Sequence, residues 1–344
     1  MMDLKKLKTK TLKYIELLEN PFDIFKKADE LRRKTVGNVV TYVVNRNINF
    51  TNFCICSCKF CSFSRTSKFL LGLKLIKNKV KEAVDLGCTE ICIQGGLIKG
   101  ADINFYTAIL EAVREVSEDI HIHAFSPMEI YHMSLNSNLE IEETLKILKE
   151  RGLNSIPGTS AEILNDSVRK IICPKKLVSK KWIEIIIKAH KLGIPTTATM
   201  MYGHIESWED RILHLLIIKE IQKKTGRFTE FIPLPFLHRN NMLGKIVRWP
   251  SGFDDLLVIA ISRLILHPEI KNIQASWVKL GIKLAQASLY VGANDLGGTL
   301  FEENISKSAG AMGPEFLEPK EMREIIKSCK RVPKQRDTLY NILE

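Results

Sequence analysis

The 344-residue sequence lacks any run of about 18 uncharged apolar residues, which is the length that a membrane-spanning helix needs. We therefore expect no transmembrane segment. It also lacks a recognisable signal peptide, so a cytoplasmic location is expected. The eight cysteines are then predicted to be free thiols or metal ligands rather than disulfide bridges.

The chain has no excess of acidic residues, because 51 Lys and Arg face 39 Asp and Glu, a net charge of +12. It also lacks a glycine-aromatic RNA-binding signature and a recognition-helix motif. The basic residues are scattered along helical stretches such as residues 74–81. We therefore interpret them as solvated helix faces and expect no nucleic-acid partner; a role in attracting anionic substrates stays open.

Cysteine, in contrast, is concentrated in one short segment directly after the apolar run that ends at residue 50. Cys54, Cys58 and Cys61 have the spacing Cys-x3-Cys-x2-Cys. Three such thiolates can hold three irons of a [4Fe–4S] cube and leave the fourth iron open to an exchangeable ligand. Cys56 does not fit this spacing and is expected to point elsewhere. No later pair of cysteines or histidines would complete a zinc knuckle.

Apolar, β-branched runs alternate with amphipathic segments of helical length along the rest of the chain. The eight runs are residues 39–49, 89–94, 120–125, 154–157, 195–201, 229–233, 272–278 and 289–293. The main helical segments are residues 77–86, 105–116, 141–150, 180–192 and 208–225. Eight such repeats predict an α/β fold, a TIM-type (β/α)8 barrel. We expect capping helices over residues 1–38, the barrel over 39–312 and a C-terminal helix and tail over 313–344.

Polar clusters follow the predicted strands, where a barrel of this kind carries its active site. They include His123, Ser126, Glu129, Glu162, Tyr202, His204, Glu206, Gln274, Trp277, Asn294 and Asp295. Each one taken singly could be a hydrogen-bonded structural residue. Their repetition at successive strand ends favours a shared site.

The cysteine spacing, followed by Phe60 and Phe63, resembles the radical S-adenosylmethionine (SAM) superfamily. In that superfamily the open iron binds SAM, and an electron from the cluster cleaves it to methionine and a 5′-deoxyadenosyl radical. Gly95-Gly96 stands at the superfamily's Gly-Gly-Glu motif, although Leu97 replaces the acidic residue.

A second motif, Thr199-x-Met201-x-Gly203-x-x-Glu206, resembles the superfamily's Gly-x-Ile-x-Gly-x-x-Glu, with threonine in place of the first glycine. Glu162 is a candidate for the ribose or amino group of SAM, since a carboxylate can accept a hydrogen bond from either. The SAM-binding residues that the resemblance implies are Phe60, Gly95, Gly96, Glu162, Thr199, Met201 and Gly203.

Longer matches narrow the resemblance to one family. They are residues 41–52, 122–129, 231–236, 273–281 and 292–299. These segments resemble FO synthase subunit 2, the 5-amino-6-(D-ribitylamino)uracil–L-tyrosine 4-hydroxyphenyl transferase family of coenzyme F420 biosynthesis, from about Ala28 to Tyr340. Three features depart from the family pattern: Ile98-Lys99 in place of histidine and proline, a shortened segment over 62–74, and residues 311–314 in place of a stretch that commonly contains histidine.

Two alternatives stay open at this stage. The menaquinone-pathway relatives aminofutalosine synthase and dehypoxanthine futalosine cyclase share the cysteine loop, but Pro233-Leu-Pro-Phe236 and Leu296-Gly-Gly-Thr299 favour the deazaflavin branch. An iron–sulfur electron carrier would need a fourth ligand and would not turn over SAM.

The family resemblance implies that a deoxyadenosyl radical removes a hydrogen from L-tyrosine, whose 4-hydroxybenzyl radical then adds to C5 of the aminouracil. An external one-electron donor and FO synthase subunit 1, which closes the ring, are the implied partners.

In this chemistry Asn294, Asp295 and Gln274 could hydrogen-bond the uracil or its ribityl chain. Trp277 and Tyr202 could pack against aromatic groups, and His123 and His204 could transfer protons. The Arg331 to Tyr340 tail resembles the family's tail, which could close over the site; its arginines could equally cap helices.

Overall fold

The computed structural model describes residues 4–247, 249–311 and 313–343. For residues 4–6 it describes the backbone alone. Residues 1–3 of the predicted cap, residue 312 at the predicted end of the barrel and residue 344 of the predicted tail lie outside the described residues. The helices are α1 (Leu4–Leu17), α2 (Pro21–Val36), α3 (Leu73–Asp85), α4 (Ile103–Arg114), α5 (Pro127–Ser137), α6 (Ile141–Glu150), α7 (Asp166–Ile172), α8 (Ser179–Lys191), α9 (Trp208–Thr225), α10 (Gly252–Leu266), α11 (Trp277–Leu280), α12 (Ile282–Ser288), α13 (Asn304–Ser308) and α14 (Pro319–Ser328). The strands are β1 (Val39–Val43), β2 (Asn45–Asn49), β3 (Glu90–Gln94), β4 (His121–Ala124), β5 (Thr196–Tyr202), β6 (Phe228–Pro235), β7 (Asp295–Gly298) and β8 (Val332–Arg336).

The strands close into a parallel barrel. β2 pairs with β3, β3 with β4, β5 with β6, and β7 with β1. Single parallel bridges complete the wall: Ser155 and Ile156 join β4 to β5, and Ile273 and Gln274 join β6 to β7. The predicted (β/α)8 barrel is therefore confirmed.

Most predicted elements lie where the sequence places them. α6 and α9 have the expected bounds, and α3, α4 and α8 begin one to four residues early. The first predicted strand is divided at Val44 into β1 and β2. The predicted strand over residues 289–293 is wrong, because that segment is a turn after α12 and the strand β7 begins at Asp295.

The inner surface of the barrel is polar on its first two layers. Successive strand residues point to opposite faces, so Asn45, Asn47 and Asn49 of β2 line the lumen while Ile48 packs outward. In β3 the inward residues are Glu90, Cys92 and Gln94. A typical barrel of this type fills its interior with apolar side chains. Here the polar lining leaves room for ligands.

Helix ends are marked by local capping. Ser207 and Asp210 form a capping box at the start of α9, and Gly226 ends the helix in the left-handed conformation. Ser251 and Asp254 form the same box at the start of α10. Such pairs satisfy backbone N–H groups that the first turn leaves unpaired.

The C-terminal tail enters the barrel at the end opposite the cysteine loop. β8 pairs in parallel with β1, from Val39 beside Val332 to Val43 beside Arg336. The chain then turns, and Arg336 bridges in antiparallel fashion to Ile342. The tail therefore closes the floor of the barrel and does not cover its mouth.

The two N-terminal helices lie outside the barrel, where α1 packs on α9 and α2 packs on α10. Among the helices that the structure describes, none is long and apolar enough to cross a membrane.

Candidate active site

A cavity of about 400 Å³ occupies the barrel lumen. Cysteines of the 54–61 loop line one end, and Arg336 and Thr338 of the tail line the other. Between them lie polar side chains from β2, β3, β4 and β6. One enclosed space thus connects the predicted cluster loop with the barrel floor.

Backbone hydrogen bonds hold the cysteine loop against three neighbours. Ile55 N donates to Leu97 O over 3.1 Å, which ties the loop to the glycine segment after β3. Lys59 N donates to Ile172 O over 2.8 Å at the end of α7. Leu243 N donates to Lys59 O over 3.0 Å from the segment after β6. The loop is therefore fixed at the mouth before any cofactor is considered.

The thiols of the loop are electrostatically unequal. Hydrogen bonding to Cys56 lowers the pKa of Cys54 and Cys58, and the Lys176 ammonium lowers both further. Hydrogen bonding to Cys54 and Cys58 and burial raise the pKa of Cys56. Since the thiolate is the metal-binding form, Cys54 and Cys58 suit ligation while Cys56 stays protonated.

The expectation that Cys56 points elsewhere is wrong. Cys56 is buried and lines the same cavity, and its Sγ lies 3.8 Å from Lys175 O. All eight cysteines are free thiols, as the sequence predicts.

The donor set fits a [4Fe–4S] cluster. Three cysteines at the predicted spacing line the cavity mouth, two of them with lowered thiol pKa. As the side chains stand, no three His, Cys, Asp or Glu of the described residues converge closely enough for a single metal ion.

Gly95 and Gly96 allow the segment after β3 to approach the cysteine loop. A Cβ on Gly96 would lie 2.1 Å from Phe53 O, and one on Gly95 would lie 2.5 Å from the Phe50 ring. Gly95 N donates to Glu129 Oε1 over 3.1 Å. Burial raises the pKa of Glu129 to about 7. Glu129 also forms a capping box with Ser126 at the start of α5, so both predicted residues have a structural role as well as a cavity surface.

Glu162 faces the cavity together with a cation. Lys176 Nζ lies 2.6 Å from Glu162 Oε1, and the same ammonium sits 5.5 Å from the centre of the Phe60 ring. Although burial alone raises the pKa of Glu162, Lys176 lowers it below its usual range. Thr199 and Met201 line the cavity from the inner face of β5. These residues form one continuous wall near the cysteines.

Lys279 of α11 lines the cavity and has no hydrogen bond or ion pair among the described residues. Burial lowers its pKa, and Glu303 opposes that shift. Glu303 Oε2 accepts a 2.7 Å hydrogen bond from Asn47 Nδ2. Gln274 lines the same region and makes no side-chain hydrogen bond within the described chain. A cation, a carboxylate and an amide are thus available to a ligand.

His123 lies deeper in the lumen. Its Nδ1 is 2.6 Å from Ser155 Oγ, and burial lowers the pKa of the imidazole to about 4. It is therefore neutral near pH 7. Its Nε2 has no hydrogen-bond partner among the described residues, which leaves it free for a ligand.

Several predicted residues do not line the cavity. They are Gly96, Tyr202, Gly203, His204, Glu206, Trp277, Asn294 and Asp295. Tyr202 points outward because β5 alternates faces, and its hydroxyl donates to Asp255 Oδ1 over 2.7 Å. Trp277 Nε1 donates to Gly298 O over 3.0 Å within the wall. Direct substrate roles for these two residues are not supported.

The others also have structural partners. Asn294 Oδ1 accepts from Arg263 and from the Ile273 backbone, and Asp295 accepts two hydrogen bonds from Arg336. Glu206 accepts from the backbone N–H groups of Gly203 and His204. Their polarity, which suggested ligand binding, serves the packing of the wall and its loops.

The predicted residues that do meet in the cavity are Cys54, Cys58, Phe60, Cys61, Gly95, His123, Ser126, Glu129, Glu162, Thr199, Met201 and Gln274. Sequence reasoning missed Asn45, Asn47, Asn49, Lys176, Lys279, Glu303, Arg336 and Thr338. Asparagine at every second position of β2 is a visible signal, because this spacing places all three on one face. The remaining residues carry no comparable signal.

Two family profiles together match most of the chain. Residues 48–216 match the Radical SAM superfamily, and residues 225–344 match the CofH/MqnC C-terminal region. A protein of Archaeoglobus fulgidus named 5-amino-6-(D-ribitylamino)uracil–L-tyrosine 4-hydroxyphenyl transferase is 65% identical over 329 residues, which is 96% of each chain. Its namesake from Methanocaldococcus jannaschii is 53% identical and covers 98% of this chain and 97% of its own.

Solved structures support the fold. Methylornithine synthase superposes with a TM-score of 0.74 at 18% identity, covering 95% of this chain and 93% of its own. The FeFe-hydrogenase maturase HydG of Carboxydothermus hydrogenoformans gives a TM-score of 0.73 at 14% identity, covering 99% of this chain and 87% of its own.

Proposed function

Because the chain belongs to the radical SAM superfamily and, within it, to the 5-amino-6-(D-ribitylamino)uracil–L-tyrosine 4-hydroxyphenyl transferase family, we propose that it transfers the 4-hydroxybenzyl group of L-tyrosine to C5 of this aminouracil. It is accordingly a radical SAM transferase of FO synthesis. The named relatives favour this reaction over the menaquinone-pathway and electron-carrier alternatives.

One observation carries the proposal. A single cavity is lined at one end by Cys54, Cys58 and Cys61, and elsewhere by the Lys279 ammonium, which is unpaired within the described part of the chain, and by several hydrogen-bonding side chains. A reaction that begins at a cluster and ends on a polar heterocycle needs both surfaces within one enclosed space, because reactive fragments must be positioned and kept from water.

The three cysteines would hold the [4Fe–4S] cluster. When bound, the cluster and SAM supply a one-electron reduction that yields methionine and a 5′-deoxyadenosyl radical. We assign the SAM contacts to the part of the cavity wall nearest the cysteines. Its residues are Phe60, Gly95, Glu162, Thr199 and Met201. Glu162 can accept hydrogen bonds from SAM, and Lys176 fixes the orientation of that carboxylate at 2.6 Å.

Lys279 and Glu303 are suited to bind the amino-acid substrate. A zwitterion brings one carboxylate and one ammonium, and these two side chains offer the opposite charges. A bound carboxylate restores to Lys279 the charge that burial disfavours. Asn47 and Ser306 N keep the Glu303 carboxylate in place with hydrogen bonds of 2.7 and 2.8 Å.

Water exclusion is supported by the apolar part of the lining. Its members are Leu97, Met128, Ile232, Leu234, Val278 and Leu300. Their side chains surround the region between the cysteines and the polar residues. They provide a low-dielectric environment in which fixed hydrogen bonds and charges act more strongly.

The compartment and the partners belong to the same proposal. Eight free thiols and a reducible cluster suit a reducing cytoplasm. An external one-electron donor is needed to reduce the cluster. The adduct still lacks the closed ring of a deazaflavin, so FO synthase subunit 1 would consume it.

The test is anaerobic turnover of the reconstituted, reduced protein with SAM, L-tyrosine and 5-amino-6-(D-ribitylamino)uracil. Mass spectrometry should detect 5′-deoxyadenosine and the hydroxybenzyl adduct together, and Cys58→Ala should abolish both. Deoxyadenosine without the adduct would reject these substrates and direct attention to the menaquinone-pathway reactions. A protein with an intact cluster that forms neither product would fit an electron carrier.

A further inference from the structure

The C-terminal tail supplies part of the ligand-facing surface at the floor of the cavity. β8 runs beside β1, and the turn that follows places Thr338 in the lumen next to Arg336. Asp337 braces this turn, since its carboxylate accepts hydrogen bonds from Leu339 N and Asn341 N over 2.8 and 2.9 Å. The floor is therefore built from residues more than 300 positions beyond the first helix.

Buried ion pairs fix the tail in this position. Arg336 Nε and Nη2 donate to the Asp295 carboxylate over 2.6 and 3.1 Å. Tyr340 donates its hydroxyl hydrogen to Glu230 Oε2 over 2.8 Å, and the Arg336 guanidinium lies 3.9 Å from the Tyr340 ring centre. These contacts on both sides of Thr338 hold it in place on the cavity wall.

The lower part of the lumen contains polar atoms that lack partners. Asn47 Oδ1 is buried without a hydrogen-bond partner among the described residues. The Thr338 hydroxyl is buried beside Glu90, whose pKa its hydrogen bonding helps to lower, and it has no other partner in the described chain. His123 Nε2 also has no partner within the described residues. Asn47 and His123 stand in the same layer, because both pair with Cys92 of β3. Buried polar groups are almost always satisfied, so these atoms indicate a ligand.

The chemistry of the floor selects the kind of ligand. Burial by itself raises the pKa of Glu90, whereas His123 and the hydrogen bonds from Asn45 and Thr338 lower it. Asn45 Nδ2 donates to Glu90 Oε1 over 2.7 Å, so this carboxyl group is one acceptor of the floor. Asp295 is matched by Arg336, and the Glu90 and Asn47 oxygens leave the floor rich in hydrogen-bond acceptors. A neutral chain of hydroxyl groups can donate to Glu90 and Asn47 and both donate to and accept from Thr338.

We infer that this floor binds the ribityl chain of the aminouracil substrate and that Thr338 of the C-terminal tail is a specificity-determining contact. The inference rests on the proposed function and deepens it, since it places the polyol in the lower lumen and the amino acid above it, beside Lys279. It also gives the tail a role in ligand recognition as well as in closing the barrel.

The experiment measures binding by anaerobic calorimetry to the cluster-reconstituted protein. Two ligands are compared, 5-amino-6-(D-ribitylamino)uracil and 5-amino-6-(methylamino)uracil, which lacks the hydroxyl chain. Thr338→Val should weaken binding of the ribityl compound about threefold to tenfold, the effect of one neutral hydrogen bond. Binding of the methylamino compound and of L-tyrosine should stay within about twofold.

Thr229→Val is the matched control, because Thr229 lies on β6 outside the cavity lining and its hydroxyl contacts only the Thr196 carbonyl. It should leave all three affinities unchanged. If Thr338→Val does not fold, Thr338→Ser against Thr338→Ala isolates the hydroxyl in the same way. Serine should retain the preference for the ribityl compound and alanine should lose it.

Equal losses for the two uracils, or no loss for the ribityl compound, would overturn the assignment of the floor. In that case a wild-type protein that still forms the hydroxybenzyl adduct would leave the proposed function standing. A wild-type protein that binds neither uracil would overturn both.

Discussion

At the scale of single residues, hydrogen bonding distinguishes three cysteines of one loop by their thiol pKa. Cys54 and Cys58 have lowered thiol pKa, whereas that of Cys56 is raised by its neighbours and by burial. The Cys56 Sγ also lies 3.8 Å from the Lys175 carbonyl oxygen. Spacing alone predicts that Cys56 is not a cluster ligand, and its raised thiol pKa is consistent with that prediction.

The first prediction compares two of these cysteines. Cys58→Ala should remove the cluster and abolish turnover, because two thiolates cannot replace three. Cys56→Ser should keep the iron and sulfide content of the wild type and turn over within about threefold of it, since one weak hydrogen bond is exchanged for another. Iron and sulfide analysis with the visible absorbance of the cluster provides the measurement. Loss of iron in Cys56→Ser would make Cys56 a ligand.

Lys279 is a second residue whose role follows from its surroundings. It faces the cavity and is unpaired among the described residues. An ammonium is strongly hydrated in water, so placing it there without a partner is costly unless a ligand provides one.

We expect Lys279→Gln to raise the KM for L-tyrosine about tenfold to hundredfold, the effect of losing a hydrogen bond to a charged group. The KM for the aminouracil should change much less, and Lys279→Arg should recover part of the loss. Steady-state kinetics with one substrate varied at a time gives both values. Lys283→Gln, an exposed neighbour, serves as the control. Equal increases for both substrates would contradict the assignment.

At the scale of secondary-structure elements, the connection from β5 to α9 shows how a motif that resembles a binding loop can act structurally. Glu206 accepts hydrogen bonds from Gly203 N at 2.5 Å and from Arg211 Nε at 2.7 Å. Gly203 has φ of +83°, and a Cβ there would meet the Pro250 ring at 2.5 Å. The motif therefore shapes the loop that ends β5, and Thr199 and Met201 reach the cavity because β5 is held in place.

The pH dependence of stability follows from the same carboxylate. Although burial raises the pKa of Glu206, His204, Arg211 and the Gly203 N–H lower it to about 2. Because the folded pKa lies below the ordinary value, Glu206 stabilises the fold above about pH 4.5 and loses this contribution as the pH falls towards 2. A pKa shift from 4.5 to about 2 corresponds to about 3 kcal/mol in the free energy of unfolding.

We predict that Glu206→Gln lowers the free energy of unfolding by up to about 3 kcal/mol at pH 7, and that the gap to wild type narrows as the pH is lowered below 4.5. Urea denaturation of the cluster-free chain at several pH values provides the test. Glu209→Gln, an exposed residue in the first turn of α9, should have little effect. A gap that stays constant with pH would show that Glu206 does not act through its charge.

At the scale of the whole molecule, the last strand completes a barrel that the preceding residues leave open at the bottom. Asp295 and Arg336 are both fully buried, and Glu230 lies beside them. Removal of one partner from a buried ion pair leaves an uncompensated charge, which costs about 3–5 kcal/mol.

Deletion of residues 330–344 should therefore lower the Tm by on the order of 10 °C and expose apolar surface to a dye such as ANS. Deletion of residues 1–18 is the matched control, because α1 packs on α9 outside the barrel, and it should leave the cluster and turnover largely intact. Calorimetry and dye fluorescence report both effects. Equal tolerance of the two deletions would mean that the barrel does not depend on the tail.

Structural features that depend on residues close together in the sequence could be predicted, and those that depend on distant segments could not. The barrel follows from the alternation of apolar runs with amphipathic helices, and α6 and α9 have their predicted bounds because periodicity and capping residues are local. The strand predicted at 289–293 is wrong because residues in that apolar run pack as the end of a helix and a turn, while the Asp-Leu-Gly-Gly of β7 pairs only once β1 lies beside it.

The sequence by itself was enough to predict the cluster ligands, since three cysteines within one loop need no distant partner to be recognised. Only the tertiary structure decided which polar residues face the ligand. Asp295 and Thr338 are both polar and buried, yet Asp295 is paired with Arg336 in the barrel wall and Thr338 faces the cavity. Sequence spacing carries no record of that difference, because it arises from contacts between segments that meet only when the barrel closes.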